Sequence, residues 1–189
     1  MSIATKTLAA VLWDMDGTLV DSEPKWRESQ TRLVAEFGGI FTGDDCLSLV
    51  GTEMVVTVEA LQRAGVRLSA EEIILRITEE VTQSLRRNVI WRPGAYELVA
   101  EIMEAGIPQA IVTTSPRVVA QVVADSLPDG AITVIVAGED VRNGKPNPEP
   151  YLLAVRTLGV TPANCVAIED SPTGLAAAIA AGVVEAPQV

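Results

Sequence analysis

The sequence predicts an α/β protein: a parallel sheet with alternating helices, interrupted after its first strand by a helical insert. Three observations carry this. Short, largely apolar runs recur at 8–13 (LAAVLW), 107–112 (IPQAIV), 132–137 (ITVIVA) and 165–168 (CVAI). They are too short for amphipathic helices and read as strands buried on both faces. Helical patterns separate the later runs, and strand-helix alternation of this kind builds parallel sheets with right-handed crossovers. Residues from about 23 to 88 are helical by period, with no convincing strand among them.

Each element has a local reason. The first strand runs into Asp14 and Asp16, and Gly17-Thr18 then allows a sharp departure of the backbone. The insert reads as PKWRESQTRLVAEFGG, EMVVTVEALQRAG and SAEEIILRITEEVTQSLRR, and the sheet resumes near Trp91-Arg92-Pro93-Gly94. The helix over 95–106 places Leu98, Ile102 and Met103 on one face and stops at Gly106. Helices over 115–127 and 148–159 carry Pro near their starts, and the one over 171–182 opens on a Ser171 cap and ends at Gly182. The expected organisation is a catalytic core of residues 1–20 and 89–189, with a helical cap domain of residues 21–88. Such a cap would sit over the carboxyl ends of the strands, where open α/β sheets bind ligands.

Bulk properties narrow the function. A chain of 189 residues can bury one good core with a smaller insert. With 48% apolar and 21% charged residues it is globular. A net charge of −11 argues against nucleic acid or an anionic membrane as partner, and requires local positive charge to meet any anionic substrate. The longest low-polarity stretch, 174–184, is too short to span a bilayer. The N-terminus lacks the apolar region and cleavage site of a signal peptide. Cys46 and Cys165 lie far apart without metal-like spacing, so a reduced, cytoplasmic protein is expected. Histidine is absent altogether. That removes Ser-His-Asp triads, Cys-His pairs and most zinc sites, and leaves acid–base work to Asp, Glu, Lys, Tyr or Cys.

Chemistry gathers at four strand ends: Asp14 and Asp16; Thr113 and Thr114; Lys145 in a Gly/Pro/Asn-rich loop; and Glu169 with Asp170. Singly, each has an ordinary reading as a turn acid, a helix cap or a solvated lysine. Together they lie along the carboxyl edge of one parallel sheet, and clustered carboxylates there call for a hard divalent cation such as Mg²⁺. A carboxylate approaching a phosphate dianion meets roughly 8 kcal/mol of repulsion at ~4 Å and an effective dielectric of ~20. Mg²⁺ and the Lys145 ammonium together reverse that sign. Asp14 would then act as nucleophile, forming an aspartyl-phosphate, while Asp16 would protonate the leaving oxygen and later deprotonate water. Thr113 and the Thr114 amide would hold phosphoryl oxygens, and Asp170 would ligate the metal.

The segments DMDGTLVDSE, IVTTS, GKPNPEPY and IEDSPTG, in this order, resemble the four motifs of the haloacid dehalogenase superfamily. The chain is most similar to its branch of sugar phosphatases and phosphoglucomutase-like enzymes, with a helical cap after the first motif. This resemblance implies a Rossmann-like core, Mg²⁺ dependence, and the backbone carbonyl of Asp16 as a metal ligand beside Asp14 and Asp170. It places Glu169 at the family's acidic motif, as a further candidate ligand. One departure from the family is at this end: similar proteins continue beyond Gly182 through further elements that finish the sheet, whereas here only VVEAPQV follows, so a less completed sheet edge is expected.

Two departures bear on the reaction. Trp26 stands about where mutase-like members carry a cap-side histidine, and Glu53 where they tend to carry an arginine. Both favour release of phosphate to water over a phosphotransferase or mutase reaction. Dehalogenation is disfavoured because those enzymes lack the second aspartate, present here as Asp16. A non-enzymatic receiver domain also uses acids, Thr, Lys and Mg²⁺, but it is shorter and has no helical insert. The expected substrate is a small phosphomonoester, with specificity set by the insert and the stretches Leu19–Glu23 and Gly51–Glu53. Lys25, Arg27 and Arg86 read as solvated helix residues rather than as a second anion site, and oligomeric state is not encoded legibly.

Overall fold

The computed structural model describes residues 8–187. Five strands, β1 (Ala10–Trp13), β2 (Gln109–Val112), β3 (Val134–Val136), β4 (Cys165–Glu169) and β5 (Val184–Pro187), form one parallel sheet. Their order is β3-β2-β1-β4-β5, so the winding reverses between β1 and β4. Ligands bind at that switch point in sheets of this kind, outside the carboxyl ends of the strands. Trp13 is level with both Ile111 and Ile168, which brings the ends of β1, β2 and β4 to one height.

The helices are α1 (Glu23–Glu36), α2 (Gly43–Leu47), α3 (Met54–Arg63), α4 (Ala70–Arg87), α5 (Ala95–Glu104), α6 (Arg117–Asp125), α7 (Glu149–Leu158) and α8 (Pro172–Ala180). Side chains of β1 alternate between the sheet's two faces, as strand geometry requires. Val11 and Trp13 join Ile111, Val119 and Val123 on one face, whereas Ala10 and Leu12 join Tyr151, Ala154 and Ala177 on the other. The polar Gln109 is accommodated in a buried strand because its amide accepts from Trp13 Nε1 at 2.8 Å and donates to Val99 O at 2.9 Å.

Two sequence expectations change. On α5 the inward stripe is Ala95, Val99, Ile102 and Met103, while Leu98 is largely exposed. Spacings of three and four about Val99 make that stripe, and Leu98 lies a helical step away from its centre. The sheet also has the fifth strand, β5, which no local apolar run announces. Its short VEAP segment alternates too little to read as a strand alone, and the backbone of β4 supplies its partner, with Val184 beside Val166. Pro187 sits on this edge strand, where a missing N–H is tolerated.

Helices α1 to α4 follow β1 directly, and their start and end are tied together. Val20 bridges Trp91 in antiparallel fashion, Asp21 N donates to Ile90 O at 2.8 Å, and Arg92 N donates to Leu19 O at 2.8 Å. Thr42 with Asp45 and Ser69 with Glu72 form reciprocal capping boxes at the starts of α2 and α4. The insert has its own apolar cluster, including Leu33, Val34, Leu61, Ile73 and Ile77. The later turns of α4 do something else: Val81 and Leu85 pack into the cluster beneath the sheet, beside α6. Trp26 packs against both clusters. Among the described residues, no helix is long and apolar enough to cross a membrane.

Candidate active site

A carboxylate buried at a strand end needs a counter-charge, and Lys145 provides it. Its Nζ donates to Asp14 Oδ1 at 2.7 Å, to the Val112 carbonyl at 2.8 Å and to Glu169 Oε1. All three ammonium protons are thereby used, by acceptors from the ends of β1, β2 and β4. Burial alone would lower the Lys145 pKa, but the Asp14 and Glu169 carboxylates outweigh it and hold the ammonium protonated. Tyr151, on α7, donates its hydroxyl to Glu169 Oε1 at 2.6 Å, and Ser171 Oγ donates to Glu169 Oε2 at 3.2 Å. Burial, with Glu169 behind it, pushes the Tyr151 phenol up and keeps it a donor. Glu169 therefore has both oxygens engaged in holding the lysine and the start of α8.

Asp14 is less complete. Burial pushes its carboxyl up to about 7; Lys145 opposes this, and Glu169 and Asp16 add to it. Its Oδ2 is buried and makes no hydrogen bond among the described residues. Asp14, Glu169 and Asp170 each present a carboxylate oxygen, all within 4.8 Å of one another. Burial and the neighbouring Glu169 also raise Asp170. One lysine thus leaves this oxygen-rich cluster short of positive charge, and an orphaned buried carboxylate oxygen beside an exposed one suits a hard divalent cation.

The glycine after the second acid now has a reason. Gly17 has φ +85°, and a Cβ there would lie 2.1 Å from Asp170 Oδ2. The same close approach recurs on α8, where a Cβ at Gly174 would lie 2.0 Å from Glu169 Oε1. Thr18 Oγ1 donates to Asp170 Oδ1 at 3.3 Å, linking the two motifs across the switch point.

Asp16, half-buried, is gripped by four donors. Ser22 Oγ and Trp26 Nε1 (3.1 Å) reach Oδ1; Thr113 Oγ1 (3.3 Å) and Ser115 Oγ (2.6 Å) reach Oδ2. Two of these come from the entry to the insert and two from the end of β2. Thr113 is buried and turned toward Asp16 and the Ser115 N–H, whereas Thr114 and Ser115 line the open cleft. The sequence reading singled out Asp14, Asp16, Thr113, Thr114, Lys145, Glu169 and Asp170, and the fold brings all seven to one edge. It missed Ser115, Ser22 and Tyr151 as partners and gave Trp26 no role beyond a missing histidine. The Ser115-Pro116 that follows the threonines and the tyrosine closing GKPNPEPY were the signals available.

The cleft encloses about 930 Å³, its open mouth included, between this edge and α1, α2 and α3. Arg27 lines it, whereas Lys25 and Arg86 do not. Glu53 crosses from the start of α3 to accept from Gly144 N at 2.9 Å, next to the lysine.

With this geometry in hand, similarities to known proteins are informative. The haloacid dehalogenase-like hydrolase family matches residues 8–182. Hexitol phosphatase A of Escherichia coli (strain K12) is 32% identical over 173 residues, covering 90% of this chain and 78% of the relative. The phosphorylated carbohydrates phosphatase of Thermotoga maritima is 32% identical over 181 residues, covering 93% and 82%. The crystal structure of CbbY from Rhodobacter sphaeroides in complex with phosphate is similar with a TM-score of 0.85 at 30% identity, covering 97% of this chain and 88% of that one. A mutant of that same protein, also with a TM-score of 0.85, was solved with xylulose-(1,5)bisphosphate.

Proposed function

Because the chain belongs to the haloacid dehalogenase-like hydrolases, we propose that it is a Mg²⁺-dependent phosphatase of small phosphomonoesters, sugar phosphates or similar metabolites. The observation that carries this is the Lys145 ammonium drawing Asp14 and Glu169 together at the switch point, beside Asp170 and the unpartnered Asp14 Oδ2. The names of the relatives, phosphatases of hexitols and phosphorylated carbohydrates, support the substrate class.

In this reading an Asp14 oxygen attacks phosphorus, the phosphorus–alkoxide bond breaks, and Asp16 gives its proton to the departing oxygen. Asp16 then takes a proton from water, which attacks the same phosphorus and releases Asp14 and inorganic phosphate. Lys145 holds Asp14 in line and offsets the phosphoryl charge. Thr114 and Ser115, at the cleft wall, orient phosphoryl oxygens, with Thr113 behind them fixing Asp16 and the Ser115 amide. Asp14, Asp170 and the Asp16 carbonyl would hold Mg²⁺, with Glu169 close by. The ion supplies the remaining positive charge that lets a carboxylate meet a phosphate dianion.

Residues 21–88 act as a cap domain over a core of residues 1–20 and 89–189, and the Glu53 contact to Gly144 is one point where the cap meets the core loop. Buried, unbridged Cys46 and Cys165 suit a cytoplasmic enzyme. The test is phosphate release from a panel of sugar, polyol and aryl phosphomonoesters, with Mg²⁺ and with EDTA. Metal-dependent turnover is expected; isomerised sugar phosphate without free phosphate would instead make the protein a mutase, and no turnover of any member would overturn the reading.

A further inference from the structure

The wall of the cleft opposite the catalytic edge contains two polar side chains that no other described residue uses. Gln30 on α1 is 6% exposed and Thr57 on α3 is 5% exposed, and both line the cleft. Among the described residues, neither side chain makes a hydrogen bond. Neither the Gln30 amide nor the Thr57 hydroxyl is among the fully enclosed unpartnered atoms, so their polar ends reach the solvent of the cleft, where a ligand can meet them. Other buried hydroxyls nearby are satisfied: Ser29 donates to Ile77 O and Ser22 to Asp16. Thr78 and Thr82 on α4 are unpartnered too, but they do not line the cleft.

Around this pair the wall is apolar and electrically balanced. Leu49 and Met54 line it, and the charged residues on this side are Arg27 and Glu23. Burial and the nearby Asp170 raise the Glu23 carboxyl, and Arg27 opposes that shift, so arginine and glutamate act on each other. Lys145, the other cation in the cleft, is committed to Asp14 and Glu169. A second phosphate would meet one arginine already facing an acid. Hydroxyl groups would find an unused amide and an unused hydroxyl, and carbon–hydrogen faces would find Leu49 and Met54.

We propose that Gln30 and Thr57 are specificity-determining residues that hydrogen-bond hydroxyls at the far end of the substrate, so that the cleft selects a neutral polyhydroxylated monophosphate over a bisphosphate. The inference rests on the phosphatase reading above and deepens it. It also separates this chain from the neighbour solved with a pentulose bisphosphate. The amide donates and accepts, and the hydroxyl does both, so together they match vicinal hydroxyls without adding charge.

The experiment compares kcat/KM on a hexitol 6-phosphate, a pentulose 1,5-bisphosphate and p-nitrophenyl phosphate, for wild type, Gln30→Leu, Thr57→Val and the double variant. The ratio of hexitol phosphate to aryl phosphate is expected to fall about tenfold per residue, mostly through KM, as loss of a hydrogen bond to substrate predicts. Wild type should prefer the hexitol phosphate to the bisphosphate. Thermal melts serve as the folding control, and both single variants should melt close to wild type because neither side chain gives up a hydrogen bond within the described protein. An unchanged ratio in the double variant, or a wild-type preference for the bisphosphate, overturns the inference while leaving the phosphatase reading intact. A wild type inactive on these three esters and on every member of the wider panel overturns both.

Discussion

The edge of the sheet and the helical wall facing it solve opposite problems. At the edge, charges are crowded and almost every polar atom is engaged: Lys145 spends three protons on three acceptors, Glu169 accepts from three donors, and Asp16 accepts from four. On the wall, charges are few, and Gln30 and Thr57 wait without partners. A reacting group must be held by more contacts than it needs, because small displacements are costly to rate. A recognition group must instead be left free for a ligand. The contrast teaches where chemistry and selectivity sit, and mutations on the two sides should differ in kind.

The deepest loss belongs to the edge. Asp14→Asn removes the attacking oxygen while keeping shape, so kcat on any phosphomonoester should fall by roughly ten-thousandfold or more, read by phosphate release. Lys145→Met should be inactive as well, and it should also lower stability by about 3–5 kcal/mol in urea titrations, because Asp14 and Glu169 are then buried side by side without a counter-charge. Stability equal to wild type in that variant would show that the crowding is not held by the lysine.

Asp14→Asn has the opposite effect on metal-free stability, and pH reveals it. The Asp14 carboxyl ionises near 7 in the folded protein against 3.8 in the free residue. Between those values the folded state binds the extra proton, so wild-type stability falls as pH rises from about 4 to about 7, by up to about 4 kcal/mol. Asparagine removes that fall. In EDTA, the melting advantage of Asp14→Asn over wild type should be larger at pH 8 than at pH 5, and Mg²⁺ should raise the melting point of wild type more than that of the variant. An advantage independent of pH would contradict the raised pKa.

Where the wall touches the edge, the effect should be intermediate. Trp26→Phe keeps an aromatic ring between the two apolar clusters but deletes the indole N–H that reaches Asp16. Turnover of an alkyl phosphate should drop about tenfold, with a smaller drop for p-nitrophenyl phosphate, whose leaving group needs little protonation. Equal drops would mean that Trp26 does not act through Asp16. The smallest change is expected on α4, away from the cleft. Thr82→Val removes a buried hydroxyl without a partner and should stabilise the protein by up to about 1 kcal/mol, seen as a higher melting point with activity retained.

Much of the edge is legible in the sequence alone. Asp14, Lys145 and Asp170 stand immediately beyond apolar strands or in loops that feed helices, and a strand's end is recognisable from its neighbours in the chain. The helical character of 23–88 was readable for a similar reason, since periodicity is local. What escaped was set at a distance. Ser115 is an ordinary helix-entry serine until the fold brings it to Asp16, 99 residues away. Tyr151 looks like core until its hydroxyl meets Glu169. The strand at Val184–Pro187 depends on the ladder offered by β4, and Leu98 was assigned inward by a period that Val99 satisfies better.

The amino-acid sequence by itself determined the alternation of strands and helices, the place of the insert and the identity of the acids and lysine at the strand ends. Those follow from patterns within a dozen residues, where backbone sterics and apolar periodicity dominate. Only the tertiary structure decided which of those groups are saturated and which are left wanting: an Asp14 oxygen at the edge, an amide and a hydroxyl on the wall. Saturation depends on partners from remote segments meeting within about 3 Å, and no local pattern specifies such a meeting.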